Sequence, residues 1–297
     1  MILCALLGLG AGVLAPEVFL PVSPYAIVIV AIGQFISFLP VRLKALLRLS
    51  PSQAGEVIMW SGIKVMVMPL FLWALTAALA PEQAAGMIMA GGVATAVMAP
   101  MLAGFLGGNV VRVMQVVLLT SLIMPFTLPF LLKLCLGAEV AFNLFNMFLM
   151  LALAVLSPSL LVLLMRRFTP RALGVIARPA PYIGRFMVFF TASSLIAPYA
   201  GAVLQDFCHS LFLFLLASGA VLAASGVAFS LCFFLRLPAT TGVLVLGLGN
   251  FGLAAATASH FLGQDATVLA MGFMLPSFLP MPFLRLWADK KLPLAAV

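Results

Sequence analysis

Long apolar segments recur along the whole chain and are separated by short polar connections. Such segments can cross a hydrocarbon layer about 30 Å thick, and lipid requires a spanning backbone to satisfy its hydrogen bonds internally, as a helix does. The alternation at every second residue that is typical of membrane-spanning strands is absent. The pattern therefore predicts ten transmembrane helices, at 2–15, 22–40, 56–80, 84–106, 109–135, 139–165, 183–204, 207–235, 239–262 and 265–287.

Composition supports the same class of protein. Of the 297 residues, 65% are hydrophobic and 7% are charged, and the mean hydropathy is +1.28, whereas soluble domains carry about 25% charged residues. We therefore predict an all-α integral membrane protein, with the lipid bilayer around it. No Lys or Arg precedes the first span, so we expect a membrane helix there and not a signal peptide.

The charged residues alternate between the two sides of the predicted membrane. Bases collect in the even-numbered loops and at the C-terminus: Arg42, Lys44, Arg48, Arg112, Arg166, Arg167, Arg171, Arg178, Arg185, Arg236, Arg285, Lys290 and Lys291. The other loops carry Glu17, Glu82, Glu139, Asp206 and Asp265, with Lys133 the one base near them. Because basic loops face the cytoplasm, both termini are predicted to be cytoplasmic, in a cell membrane that in a bacterium is the inner one. The net charge of +8 then reports orientation, and no nucleic-acid partner is expected.

Residues that carry catalytic or metal chemistry are sparse. The four cysteines (Cys4, Cys135, Cys208 and Cys232) lack metal-ligand or redox spacing, so no metal or cofactor is expected, and only Cys135 and Cys208 lie on one side where they could pair. An intramembrane enzyme needs paired carboxylates, a Ser/His pair or a metal cluster at depth. Every Asp and Glu falls at the end of a span, so we do not expect an enzyme.

The two halves of the chain share a modest internal similarity. Residues 121–134 and 272–287 each contain two prolines four apart followed by a basic residue, at an offset of about 151, and residues 91–100 align with 246–255 at an offset of 155. Five spans in each half place the second copy upside down in the membrane. We therefore predict two inverted five-helix repeats, at 1–136 and 137–297, an architecture typical of secondary transporters.

The fourth and ninth spans are counterparts in these repeats, and both contain residues that weaken helices. Gly91, Gly92 and Pro100 interrupt one, and Gly247, Gly249 and Gly252 interrupt the other. Each glycine costs a helix interior about 1 kcal/mol and proline about 3 kcal/mol. We predict two discontinuous helices that cross, with Asn250 presenting a donor and an acceptor at the break. The alternative is that the glycines only allow helices to pack closely.

At these residues the chain resembles the bile acid:sodium symporter family, part of a superfamily that also includes arsenite and riboflavin transporters. The ninth-helix pattern E-x-G-x-Q-N-x-x-L-A is matched by Val245, Gly247, Gly249, Asn250, Leu253 and Ala254, with Val in place of Glu and Gly in place of Gln. The fourth-helix pattern is matched by Gly91, Gly92, Val93, Ala94, Thr95, Ala96, Val97, Met98, Leu102 and Ala103, followed by Gly108, Asn109 and Val110. The resemblance covers nearly the whole chain.

The resemblance implies a core formed by about 56–135 and 207–287, which holds the crossing, and a panel formed by about 2–40 and 139–204. Solute would bind between core and panel, with Asn250, Thr95, Val93 and Gly249 as the candidate substrate-binding residues. The protein would expose that site to each side of the membrane in turn. Gln34 in the second span could line the panel side.

The ion-coupling positions depart from the family pattern. The resemblance implies sodium ligands at positions that here read Lys64, Thr95, Ala96, Val245 and Gly249, and Thr95 alone keeps a side-chain oxygen. A hard cation needs several oxygen ligands. We therefore expect Lys64, Ala96 and Val245 to mark an ion-coupling site that does not bind sodium in the family manner.

Lys64 is the one base well inside a predicted span, about 12 Å from its start at 1.5 Å per residue. Its ammonium could replace a sodium ion and could exchange protons, or its long stem could carry the charge back to the interface. The sequence thus favours a secondary-active carrier of a small organic solute, more specifically an anion. A sodium symporter of bile-acid-like or other carboxylates that uses backbone ligands is one alternative, and a channel or membrane sensor is another.

Overall fold

The computed structural model describes residues 2–39, 50–137 and 143–291. These ranges are helical, with one isolated bridge between two residues and no strand. The helices are α1 (Ile2–Leu14), α2 (Pro16–Phe38), α3 (Pro51–Leu79), α4 (Ala84–Gly92), α5 (Ala99–Phe105), α6 (Val110–Leu136), α7 (Leu144–Phe168), α8 (Pro170–Ala177), α9 (Tyr182–Gln205), α10 (Phe207–Leu235), α11 (Ala239–Gly247), α12 (Phe251–Phe261) and α13 (Gln264–Leu286).

Seven of these helices are long and apolar enough to cross a membrane: α2, α3, α6, α7, α9, α10 and α13. The helix α1 is a shorter apolar helix. The chain is therefore a multi-pass membrane protein built from helices. The two remaining predicted spans are each divided into two short helices, α4 with α5 and α11 with α12.

Several helix ends differ from the prediction. The helix α2 begins at Pro16 and not at 22, and α3 begins at Pro51 and not at 56. Ser50 caps α3 in a capping box in which the Gln53 amide donates to Ser50 Oγ at 3.3 Å. This first turn is polar, so hydropathy alone placed the start too late. Lys64 consequently lies about 20 Å along α3 at 1.5 Å per residue, deeper than the 12 Å expected.

Some predicted features fall outside the described residues. They are Arg42, Lys44, Arg48, Glu139 and the first residues of the span predicted at 139–165. Within the described range, Asn143 caps α7, because its side chain accepts from the amides of Phe145 and Asn146.

The helices pack in two groups. In one group, α1 packs along α9, and α2 packs between α9 and α7. In the other group, α3 packs on α4 and α6, α10 packs on α11 and α13, and α13 packs on α4. The two groups meet in two places, because α7 packs along α6 and α12 contacts α2 and α9.

Charged contacts join helices at opposite ends of the bundle. At one end, Arg112 Nε lies 3.1 Å from Glu56 Oε2, and Arg112 Nη1 donates to the Gln53 carbonyl at 2.6 Å. At the other end, Asp265 accepts from Gln83 Nε2 at 3.3 Å and lies 3.1 Å from His209 Nε2. These contacts fix the starts of α4, α10 and α13 together, away from the start of α3.

Candidate functional site

The two interrupted segments meet through their backbones. Thr95 and Gly249 form an isolated antiparallel bridge. The amide of Asn250 donates to the Ala94 carbonyl at 2.9 Å, and the amide of Ala96 donates to the Leu248 carbonyl at 3.3 Å. Backbone that has left the helix must find partners in a low-dielectric interior, and here each break supplies them to the other.

Gly249 allows the two breaks to approach this closely. A Cβ atom at this position would lie 2.7 Å from Phe251 Cε1 and 3.1 Å from Val93 Cγ2, so both side chains would have to shift to admit it. Val93 itself is fully buried.

Thr95 lies at the centre of the crossing and is fully buried. Its hydroxyl donates to the Val245 carbonyl at 3.1 Å, and its amide donates to Thr120 Oγ1 at 3.3 Å. Thr120, on α6, donates in turn to the Val116 carbonyl one turn earlier at 2.8 Å. Thr95 therefore connects the first break with the end of α11 and with α6.

Lys64 lies in a π-helical turn of α3, at Ile63–Val67, and is 2% exposed. Its Nζ donates to the Leu246 carbonyl at 3.4 Å. Among the described residues, no carboxylate oxygen lies within 4.0 Å of this nitrogen. The C-terminal carbonyls of a helix carry a partial negative charge, so the end of α11 is a favourable place for an ammonium group.

A small cavity of about 10 Å³ lies beside the Lys64 side chain, between the end of α11 and the helices α3, α4 and α10. This volume is enough for about one water molecule. Apart from Lys64 its lining is apolar, with Met68, Val221, Phe251 and Phe273 among the residues. The cavity is too small for an organic solute.

Asn250 caps the start of α12, because its Oδ1 accepts from the Leu253 amide at 3.4 Å. Its Nδ2 donates to Gln34 Oε1 on α2 at 3.1 Å. The Asn250 residue is partly buried and Gln34 is buried. Asn250 thus faces the group of helices that contains α2, whereas Lys64 approaches the crossing from α3.

The structure brings the sequence-predicted residues Thr95, Gly249, Asn250, Val93 and Ala96 into the crossing itself. Lys64 and Val245 join it through the end of α11, since the Leu246 and Val245 carbonyls are the acceptors. Thr120 was missed by the sequence reasoning. A threonine that bonds its own helix is common in membrane helices, so nothing in the sequence marks it as a partner of Thr95.

Comparison with known families gives an assignment. The sequence profile of the Sodium Bile acid symporter family matches residues 55–208, just over half of the chain. The chain therefore belongs to this family, and it is a membrane transporter. The matched segment contains Lys64 and the first break, and ends before α11. A comparison with curated proteins gives no match.

Proposed function

We propose that the protein carries a small organic anion across the membrane by alternating access, and that the Lys64 ammonium takes the place of a coupling sodium ion. In this proposal the chain forms ten spans in two inverted repeats. The helix pairs α4/α5 and α11/α12 are the equivalent crossing spans. The core contains α3 to α6 and α10 to α13, and the panel contains α1, α2, α7 and α9.

The packing of the helices supports this division. The panel helices pack on one another and the core helices pack on one another, and the two groups touch where α7 packs on α6 and where α12 contacts α2 and α9. A solute between core and panel would meet the start of α12, where the N-terminal amides favour an anion. Asn250 would contribute its side-chain donor to the same solute.

The observation that carries the coupling proposal is the position of Lys64 Nζ, which is buried and donates to the Leu246 carbonyl at the end of α11. A sodium ion at this point would be held by oxygen ligands. At the five positions where the family has sodium ligands, Thr95 alone has a side-chain oxygen. Its hydroxyl already donates to the Val245 carbonyl. Because the Lys64 ammonium already compensates the partial negative charge at the end of α11, a sodium ion is not needed there.

Counterflow in proteoliposomes tests the proposal, with taurocholate and pyruvate as the labelled probes. We expect unlabelled probe inside the vesicles to accelerate uptake of labelled probe, and the rate to be unchanged when sodium is replaced by potassium or choline. Steep dependence on sodium would instead favour a symporter with backbone ligands. Flux without acceleration by internal probe would favour a channel, and absence of flux with both probes would contradict the carrier proposal.

A further inference from the structure

One side-chain hydrogen bond joins the crossing to the neighbouring helix α2. Gln34 is 5% exposed within α2, and its Oε1 accepts from Asn250 Nδ2 at 3.1 Å. A buried amide in a membrane helix is costly unless its polar atoms are bonded. Gln34 therefore depends on Asn250 for a partner in this arrangement of the helices.

The rest of Asn250 is fixed by α12 and by the first break. Its Oδ1 accepts from the Leu253 amide, and its backbone amide donates to the Ala94 carbonyl. These bonds hold the residue in place and turn Nδ2 toward α2. The amide nitrogen of Asn250 is thus a donor held rigidly at the start of α12, and Gln34 is the acceptor that occupies it.

An independent observation shows that the first turn of α12 is closely covered. A Cβ atom at Gly252 would lie 2.9 Å from Thr191 Cγ2 on α9 and 4.0 Å from Val30 Cγ2 on α2. A side chain at this position would require the Thr191 side chain or the helix α9 to shift. The first turn of α12 is therefore in direct contact with α2 and α9.

We infer that Gln34 is a positioning residue that competes with the solute: its amide oxygen occupies, in the closed arrangement, the acceptor position on Asn250 that an anionic oxygen of the solute, from a carboxylate or a sulfonate, takes. This inference rests on the proposed function. Binding of the solute exchanges one acceptor for another on Asn250 Nδ2, so the contact between α2 and α12 opens only when a replacement acceptor arrives. The empty carrier is kept closed by the same bond.

The first test needs no solute. A cysteine is introduced as Val30→Cys after Cys4, Cys135, Cys208 and Cys232 are replaced by alanine, and its modification by a water-soluble thiol reagent is timed in lipid nanodiscs. Gln34→Met keeps the length of the side chain and removes both polar atoms. Loss of one hydrogen bond should open the contact and speed modification about threefold to tenfold.

Two further variants act as controls in this test. Ile32→Met puts the same new side chain on the same helix, at a position that is 45% exposed. In this variant the cysteine introduced at position 30 should be modified at the parent rate. Gln34→Glu retains an acceptor for Asn250 and should also stay near the parent rate. Equal modification of Gln34→Met and the parent would overturn the inference.

The second test is transport of taurocholate and pyruvate. Gln34→Met removes the competitor and should lower KM about threefold to tenfold, while Gln34→Glu, whose negative charge repels an anion, should raise it. A purely structural role for Gln34 predicts lower kcat with unchanged KM in both variants, and that result contradicts the inference. If the parent transports neither probe, that result counts against the proposed function. The modification rates still show whether the bond from Asn250 to Gln34 keeps the contact between α2 and α12 closed.

Discussion

The two breaks at the crossing are joined by reciprocal backbone bonds but differ in the side chains around them. Between α4 and α5 the break covers residues 93–98, and α5 begins at Ala99 without a side-chain cap. Between α11 and α12 the break is shorter, 248–250, and Asn250 caps the new helix. The second break has a polar cap, Asn250, whereas the first contributes the Thr95 hydroxyl and otherwise backbone and apolar side chains such as Ala96.

The helix that ends at the second break is also surrounded by more polar groups. The Leu246 and Val245 carbonyls at the end of α11 accept from Lys64 Nζ and Thr95 Oγ1. Both donors come from the first half of the chain. The charged donor Lys64 and the cap Asn250 both act on the second break, so we expect the largest effect where the charge at that break is removed.

The largest effect is expected for Lys64→Ala, which removes the ammonium from the end of α11. Transport of taurocholate or pyruvate in proteoliposomes should fall about 10- to 100-fold, the range expected for a buried hydrogen bond to a charged group. Lys64→Gln should either be inactive or begin to respond to sodium, since it retains a donor and loses the charge.

Lys133→Ala is the matched control, because Lys133 is an exposed base in the last turn of α6. It should transport at the parent rate. If the Lys64 ammonium reaches the membrane surface during transport, Lys64→Ala and Lys64→Gln should keep near-normal rates and Lys64→Arg should resemble the parent. Full activity of Lys64→Ala together with steep sodium dependence of the parent would end the tethered-cation hypothesis.

A smaller effect is expected for Gly249→Ala, which crowds the side chains of Phe251 and Val93 at the crossing. The new methyl group would lie 2.7 Å from Phe251 Cε1, and overpacking of this kind costs about 1–3 kcal/mol. The temperature at which the purified protein loses monodispersity should fall. Gly226→Ala on α10 has no neighbour within 4 Å of the new atom and should leave that temperature unchanged or raise it. Equal behaviour of the two variants would show that the crossing accommodates the added methyl group without loss of stability.

Much of the helical organisation was predictable, because uncharged runs and glycine clusters are visible in one sequence. The runs predicted a membrane protein made of helices, and the profile match confirms the family suspected from Gly91, Gly92 and Asn250. The ten-helix inverted repeat and the roles of the individual residues stay predictions. The start of α3 was placed wrongly since the capping box at Ser50 and Gln53 lies in a polar turn that hydropathy excludes.

The partners of the site residues could not be predicted, for a reason specific to membrane helices. In a soluble helix the polar face shows which side is exposed. On α6, by contrast, Phe126 is 58% exposed and Leu128 is fully buried, and both are apolar because lipid and protein interior favour the same side chains. The pattern therefore does not reveal which face of α2 meets α12, and neither the bond from Asn250 to Gln34 nor that from Thr95 to Thr120 follows from it.

The smallest effect is expected for Thr95→Val, which tests whether a side chain from the first break stabilises the end of α11. Valine has nearly the same shape but cannot donate to the Val245 carbonyl, now 3.1 Å from the hydroxyl. The loss should be about 1 kcal/mol, since a buried acceptor is left without this partner, and Thr95→Ser should recover most of it. Thr127→Val is the control, because the Thr127 hydroxyl bonds carbonyls of its own helix. Thermal unfolding of the three variants would measure the difference. If Thr95→Val is no less stable than Thr127→Val, the side-chain contacts on the second break reduce to those of Lys64 and Asn250, and the first break is held to the second by its backbone bonds.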